Sequence, residues 1–386
     1  MDLTAKEIMD ALVSFPSVSR DGTKAVADWV QNYLTSHGID SHRMNSDDGK
    51  NAAVYAHVGP EIDGGILLSG HMDVVPVDGQ DWTSSPWEVT ERDGKYFGRG
   101  TCDMKGFDAL ALHALVTAKS KGIKRPLQIA LSFDEEVGCT GAPPMIDQIL
   151  QTMPKASASI IGEPSMMQAV TGHKGGTIFD VTFHGHEVHS SIMYQGVNAI
   201  MEAAKLIDWA NQINAENMAA EPHPTAAEFD PPYTNVHIGV ISGGTAHNIT
   251  AGMCNFGLGF RTVPNENPDD WVARLMEKVA EIEAGMKAVH PDAGITVTPR
   301  ANVPGLKPED MGEAEALVRA ITGDNATHKV SYGTEAGQFQ ERGYSSVICG
   351  PGDIAQAHQA DEFISIEQFQ AGELFMQKLV ERLANP

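Results

Sequence analysis

Short β-rich runs alternate with helical ones along the first part of the chain, and this alternation is what most narrows the fold. The runs AAVYAHV (52–58), ILLSGHM (66–72), LQIALSFDEE (127–136) and SASIIGEP (157–164) are interleaved with DALALHALVTAKSKG (108–122) and PPMIDQILQTM (143–153), which carry helical spacing. Such alternation predicts an α/β layer fold. After Lys174 the rhythm changes. TIFDVTFHG, TNVHIGVISGG, MCNFGLGFRTV and GITVTPR read as strands, with helices at VNAIMEAAKLIDWANQIN and DDWVARLMEKVAEIEAGMKA. That βαββαβ order is the ferredoxin-like arrangement. The stretch AENMAAEPHPTAAEFDPPY, rich in Ala, Glu and Pro, reads as a long surface loop. The chain then returns to α/β alternation and ends on the helix IEQFQAGELFMQKLVERL. The expected organisation is an α/β domain in two pieces, 1–176 and 300–386, with a second domain inserted at 177–299.

A chain of 386 residues with 42% hydrophobic content can bury two cores of ordinary domain size. Its 27 Lys and Arg against 51 Asp and Glu give a formal charge of −24. A field of that sign repels phosphate backbones and anionic lipid, which argues against nucleic acid and membrane as partners. Lys6, Glu7 and Asp10 interrupt what would have to be the apolar segment of a secretion signal, so the first residues read as an amphipathic helix. No apolar run of about 18 residues occurs, so no transmembrane helix is expected. Cys102, Cys139, Cys254 and Cys349 are widely spaced, form no CxxC pair and read as small buried neutral thiols of a reduced, cytoplasmic protein.

Two histidines and three carboxylates stand in short, distinctive settings: His71 in SGHMDVVP, Asp103 in GRGTCDMKG, Glu136 in SFDEEVG, Glu163 in IIGEPS and His358 in AHQADE. His71, Glu136 and Glu163 follow or end predicted strands, where open α/β sheets place their sites. Imidazole nitrogen with carboxylate oxygen suits a pair of borderline divalent ions such as zinc, with cobalt or manganese also fitting. Glu135 directly precedes Glu136, and neighbours on a chain point different ways, so one can hold metal while the other holds a proton. Asp73, two residues after His71, is placed to orient its imidazole. His173, His184, His186, His237 and His247 have no comparable setting and read as surface or packing residues.

The ordered series SGHMDVVPVDGQDWTSSPWEV, GRGTCDMKG, LSFDEEVGCTGA, IIGEPS, TGHKGG, HSSIMYQGVNAI, GGTAHNIT, GTEAGQF and CGPGDIAQAHQADEF resembles the M20 family of co-catalytic zinc amidohydrolases and peptidases, over nearly the whole chain. The resemblance implies a zinc-exopeptidase-like catalytic domain and a ferredoxin-like lid that forms a homodimer. It implies two zinc ions per subunit, with Asp103 bridging, His71 and Glu163 on one ion, and Glu136 and His358 on the other. Glu135 would be the general base. His189 would reach across the dimer to the oxyanion, Asn248 and Arg261 would bind the substrate carboxylate, and Gly333, Thr334 and Glu335 would contact the amino-acid part of the substrate. Glu335 suits a cationic side chain, although a helix-start role is the competing reading.

These matches point to hydrolysis of an N-acyl amino acid, with N-acetyl-L-ornithine as the expected substrate and ornithine and acetate as products. The alternative is another acyl group or a dipeptide, as in succinyl-diaminopimelate desuccinylases, aminoacylases and dipeptidases. GGTAHNITAG lacks the proline that deacetylases of this type usually carry there, and HSS is followed by IMYQGVNAI where proline or alanine is common. Both departures lie in substrate-contacting motifs. A Ser-His-Asp hydrolase is disfavoured because no G-x-S-x-G elbow is present.

Overall fold

The run Ile66–His71, entered from Gly64 and Gly65 and opening on three large aliphatic residues, favours burial on both faces, and in the computed structural model, which describes residues 3–385, it is buried at every position. The chain divides into two compact units. The first comprises the residues up to Gly172, Pro308–His328 and everything from Thr334 on; the second comprises His173–Lys307 with Lys329–Gly333.

In the first unit, strands Ser41–Asn45, Ala52–Val58, Leu127–Ser132, Ile66–His71, Ala158–Pro164 and Ser345–Gly350 lie side by side in that order. The last four are mutually parallel, with Ile66 opposite Leu127 and Ala158, and Ser345 opposite Ala158. Their residues are buried throughout the Leu127, Ile66 and Ala158 strands, the signature of a parallel sheet covered on both faces. Helix Lys105–Lys121 is buried over most of its circumference, and Gly122 ends it at φ 65°, in the left-handed region that glycine enters freely. Helix Ala5–Val13 opens on a capping box between Thr4 and Glu7 and buries Ile8, Met9, Leu12 and Val13. Helix Ile366–Ala384 adds Phe375, Met376 and Leu379 to the same core. Gly162 must be glycine: a Cβ there would sit 2.1 Å from the ring of Phe107.

In the second unit the strands run in the order Asn235–Gly243, Met253–Thr262, Gly175–His184, Gly294–Val303, all antiparallel. Helices Ala199–Ala219 and Pro268–Val289 supply Leu206, Trp271 and Leu275 to a core shared with Phe179, Phe183, Phe256 and Phe260. Numbered within the unit, the sheet order is 2-3-1-4, the ferredoxin-like topology. Along Met253–Thr262 the buried Cys254, Phe256, Leu258 and Phe260 alternate with Asn255, Gly257, Gly259 and Arg261. Arg261 therefore stands on the sheet face opposite the core. The loop expected from Ala215 starts later, because Ala215, Glu216, Met218 and Ala219 are good helix formers and the side-chain amides of Asn214 and Asn217 tie the helix to the carbonyls of Val236 and Thr234.

Among the described residues no helix is long and apolar enough to cross a membrane. All four cysteines are free and buried.

Candidate metal centre

The parallel strands of the first unit deliver their C-terminal ends to one place. His71 closes its strand opposite Ser132, Glu135 and Glu136 follow Ser132 in the next turn, and Glu163 ends the neighbouring strand. Asp103 lies just before helix Lys105–Lys121, and His358 comes from the loop after Ser345–Gly350.

These five side chains converge. The Asp103 carboxylate is divided between the two imidazoles: Oδ1 is 3.1 Å from His71 Nε2 and Oδ2 is 3.2 Å from His358 Nε2. His71 Nε2 is also 3.7 Å from Glu163 Oε1, and His358 Nε2 is 3.0 Å from Glu136 Oε2. Two donor groups sharing Asp103 result, one with His71 and Glu163 and one with His358 and Glu136. His71, Asp103, Glu136 and Glu163 have buried side chains, whereas that of His358 is 53% exposed.

The electrostatics of this cluster call for positive charge. Desolvation, with repulsion from the neighbouring carboxylates, pushes Glu135 up to about 7 and Glu136 up to about 8, and drives Glu163 well above the carboxylate range. Burial opposes ionisation of Asp103 too, but hydrogen bonds from both histidines hold it far below its ordinary value. Burial likewise opposes charge on His71, and the surrounding Asp103, Glu135 and Glu163 outweigh it. Glu136 Oε1 is buried without a hydrogen-bond partner. Four clustered carboxylates, one orphaned oxygen and two imidazoles turned by their Nε2 edges toward carboxylates make a donor set that fits two divalent cations.

Asp73 organises this set by two routes. Its backbone carbonyl lies 2.9 Å from His71 Nδ1, which leaves Nε2 for the centre, while its carboxylate oxygen is farther, at 3.7 Å. That carboxylate instead accepts the backbone N–H groups of Glu135 and Glu136 and the hydroxyl of Ser19. The contact by which Asp73 meets the imidazole at hydrogen-bond distance is thus its main-chain carbonyl.

Two residues to which the sequence alone assigns no role hold the Asp103 loop. Glu362 Oε1 accepts from the backbone N–H of Gly100, Cys102 and Asp103 at 3.0–3.1 Å, and Glu362 Oε2 pairs with Arg99 Nη1 at 2.6 Å. Both charges are 1% exposed. The signal that could have found them is an Arg and a Glu inside matched motifs, GRG and ADEF.

The remaining candidates are placed as follows. In the second unit His189 is exposed and caps the short turn Ser190–Gln195, with Nδ1 2.8 Å from Ser191 Oγ, and Ser190 N–H donates to the carbonyl of Asn248. Arg261 projects over Gly176, and a Cβ on Gly333 would lie 3.7 Å from its Nη1. Arg261 and Arg300 border a groove of about 550 Å³ on the open sheet face, floored by Gly257 and Gly259. In the first unit Thr334 is buried and its hydroxyl accepts from Ala336 N–H. Glu335 is 1% exposed and turned inward: its carboxylate takes the hydroxyls of Ser132 and Ser69 from the strands beneath, and burial pushes it up to about 7. The partners of the Glu335 carboxylate are thus the two strand serines: it is not turned out as the expected anion for a substrate side chain, and it makes no side-chain cap bond to the helix Ala336–Glu341, as the helix-start reading would have it.

The sequence matches Peptidase family M20/M25/M40 over residues 67–382. It is 34% identical over 323 residues to an acetylornithine deacetylase of Myxococcus xanthus, covering 82% of this chain and 79% of that protein. It is 28% identical to an acetylornithine deacetylase of Pasteurella multocida over 97% of this chain and 96% of that one. The fold superposes with a TM-score of 0.78 on an M20 family metallo-carboxypeptidase of Sulfolobus solfataricus at 16% identity, covering 99% of both chains. A family match across most of the chain, joined to this set of convergent donors, makes the protein a hydrolase of amide bonds and a member of peptidase family M20/M25/M40.

Proposed function

We propose that this chain is a dizinc N-acyl-amino-acid amidohydrolase that deacetylates N-acetyl-L-ornithine. The observation that carries the reading is the sharing of the Asp103 carboxylate between His71 and His358, with Glu135 beside His71 and Glu163. The deacetylase names borne by relatives at 34% and 28% identity support the substrate.

His71, Asp103 and Glu163 would hold one ion and Asp103, Glu136 and His358 the other; when bound, the pair acidifies water and polarises the amide carbonyl. Glu135 takes the proton of the attacking water. As the C–N bond breaks it passes that proton to the departing amine nitrogen, leaving acetate and free ornithine. A carboxyl pushed up to about 7 can accept and return a proton near neutral pH. Arg261 pairs through its planar fork with the substrate carboxylate, beside Asn248. His189 donates to the oxyanion of a second copy's site in a homodimer. For that dimer, the second unit exposes Val240 (75%) on its edge strand and Met253 (50%) on the next, with Tyr194 (75%) and Met201 (54%) exposed on the turn and helix that follow His189.

A second reading, another acyl-amino acid or a dipeptide, is favoured by the inward-turned Glu335, which leaves the ornithine δ-ammonium without the anion expected there. The test is hydrolysis by the zinc-loaded chain of N-acetylornithine, other N-acetyl amino acids, N-succinyl-diaminopimelate and dipeptides, followed by release of amine. N-acetylornithine should give the highest kcat/KM; a better substrate discards that name and keeps the centre. Arg261→Ala should raise KM about 10- to 100-fold at little-changed kcat, as expected for loss of a charge-assisted pair. An unchanged KM removes Arg261 from the carboxylate site. For the dimer, light scattering should give twice the chain mass, and Val240→Asp should yield a monomer that keeps its metal and loses activity. A fully active monomer would exclude His189 acting in trans.

A further inference from the structure

The turn that carries Glu135 contains a conformational oddity with a chemical consequence. Cys139 adopts φ 54°, the left-handed region, directly after Gly138 at φ 120°. Glycine is the residue that enters this region without steric conflict, so a side chain there needs a reason. The surroundings hold it from three directions: Cys139 N–H donates to the Glu135 carbonyl at 3.0 Å, Gln338 Nε2 donates to the Cys139 carbonyl at 3.1 Å, and the thiol Sγ lies 3.3 Å from Glu135 Oε1. Among the described residues it is the one side-chain donor to that carboxylate.

We propose that Cys139 is a positioning residue whose S–H donates to Glu135 Oε1, so that Oε2 is the oxygen that takes and returns the proton. This rests on the reading of Glu135 as the proton-transfer group. The thiol suits that role in two respects. It is 2% exposed, and burial together with the charges of Glu135 and Glu335 drives its pKa well above the usual thiol range, so it stays a donor. A sulfur donor is also weak, and it orients the carboxylate without strongly suppressing its basicity, as a charged partner would. Gln338, from the helix Ala336–Glu341, then acts through its bond to the Cys139 carbonyl, locking the turn in the conformation that aims the thiol.

Difference infrared spectra in the S–H stretching region, zinc-loaded wild type minus Cys139→Ala, isolate this thiol from the other three. Its band should move to higher frequency in Glu135→Ala, which removes the acceptor. An unmoved band overturns the proposal whatever the enzyme hydrolyses. With N-acetylornithine, or the best substrate of the panel, Cys139→Ala should lower kcat about fivefold to tenfold at unchanged KM and metal content. Cys139→Ser, which restores a donor, should recover kcat to within about twofold of wild type. Equal kcat in wild type and Cys139→Ala would refute the positioning role while leaving Glu135 intact. Full activity of Glu135→Ala would instead refute the general base.

Discussion

Glu135→Gln lowers kcat by about a thousandfold to ten-thousandfold while two equivalents of zinc stay bound, the scale expected when a positioned proton carrier is removed from an amide hydrolysis. Glutamine keeps the size of the side chain and an oxygen for the Cys139 thiol, and it removes only the ability to hold a proton. The neighbouring residue supplies the contrast. Glu136 Oε2 lies 3.0 Å from His358 Nε2 in a buried carboxylate cluster, so Glu136→Gln should weaken metal binding before it changes any proton transfer. Metal content by atomic absorption, with kcat and KM on the same samples, separates the two. Retention of more than about a tenth of wild-type kcat in Glu135→Gln would mean that another group accepts the water proton. Loss of metal in that variant would make Glu135 a ligand, a role its position within 4.8 Å of His71 and Glu163 also permits geometrically.

The presence of two adjacent carboxylates at the centre was legible in the sequence because it depends on local facts: a DEE run after a strand. The α/β class was legible for the same reason, since strands buried on both faces read as largely apolar runs, as Ile66–Leu68 and Ile129–Leu131 do within their strands. What was not legible depends on direction or distance. Glu362 and Arg99 are 263 positions apart, and only the fold shows that one carboxylate serves three amides of the Asp103 loop. Glu335 looked like a recognition residue because sequence shows charge and not orientation; Ser69 and Ser132, small donors beneath it, turn it inward. Cys139 is the small buried thiol the sequence suggests, but nothing in composition announces its backbone at φ 54°. The polar strand Ser41–Asn45 and the hairpin Thr90–Arg92 with Lys95–Phe97 lack the apolar alternation that would mark them as strands.

Stripping the metal should cost the protein far more at alkaline than at acid pH. In the metal-free chain Glu135 and Glu136 titrate near 7 and 8 instead of the ordinary 4.5, and His358 is raised to about 10 from 6.5 by its bonds to Asp103 and Glu136. All three bind protons more tightly folded than unfolded, so their contribution to stability is complete below the unfolded values and is lost as pH climbs through the folded ones. Asp103 has the opposite sign, but its loss lies on the acid side of 3.8. Between about pH 5.5 and 8.5 the three raised groups therefore destabilise the metal-free fold as pH rises. Bound zinc does the reverse, because it requires deprotonated ligands and replaces the protons that neutralise them. Free metal at a thousandfold excess over Kd contributes about 4 kcal/mol per site, so two sites should separate the melting temperatures of metal-loaded and chelated protein by roughly 10–20 °C near pH 8. The gap should shrink toward pH 5.5, and scanning calorimetry across that range with and without a chelator reads it directly. A gap that stays constant or widens on acidification would show that neither the buried carboxylates nor the two histidines bind the metal, since both kinds of donor must give up their protons to do so.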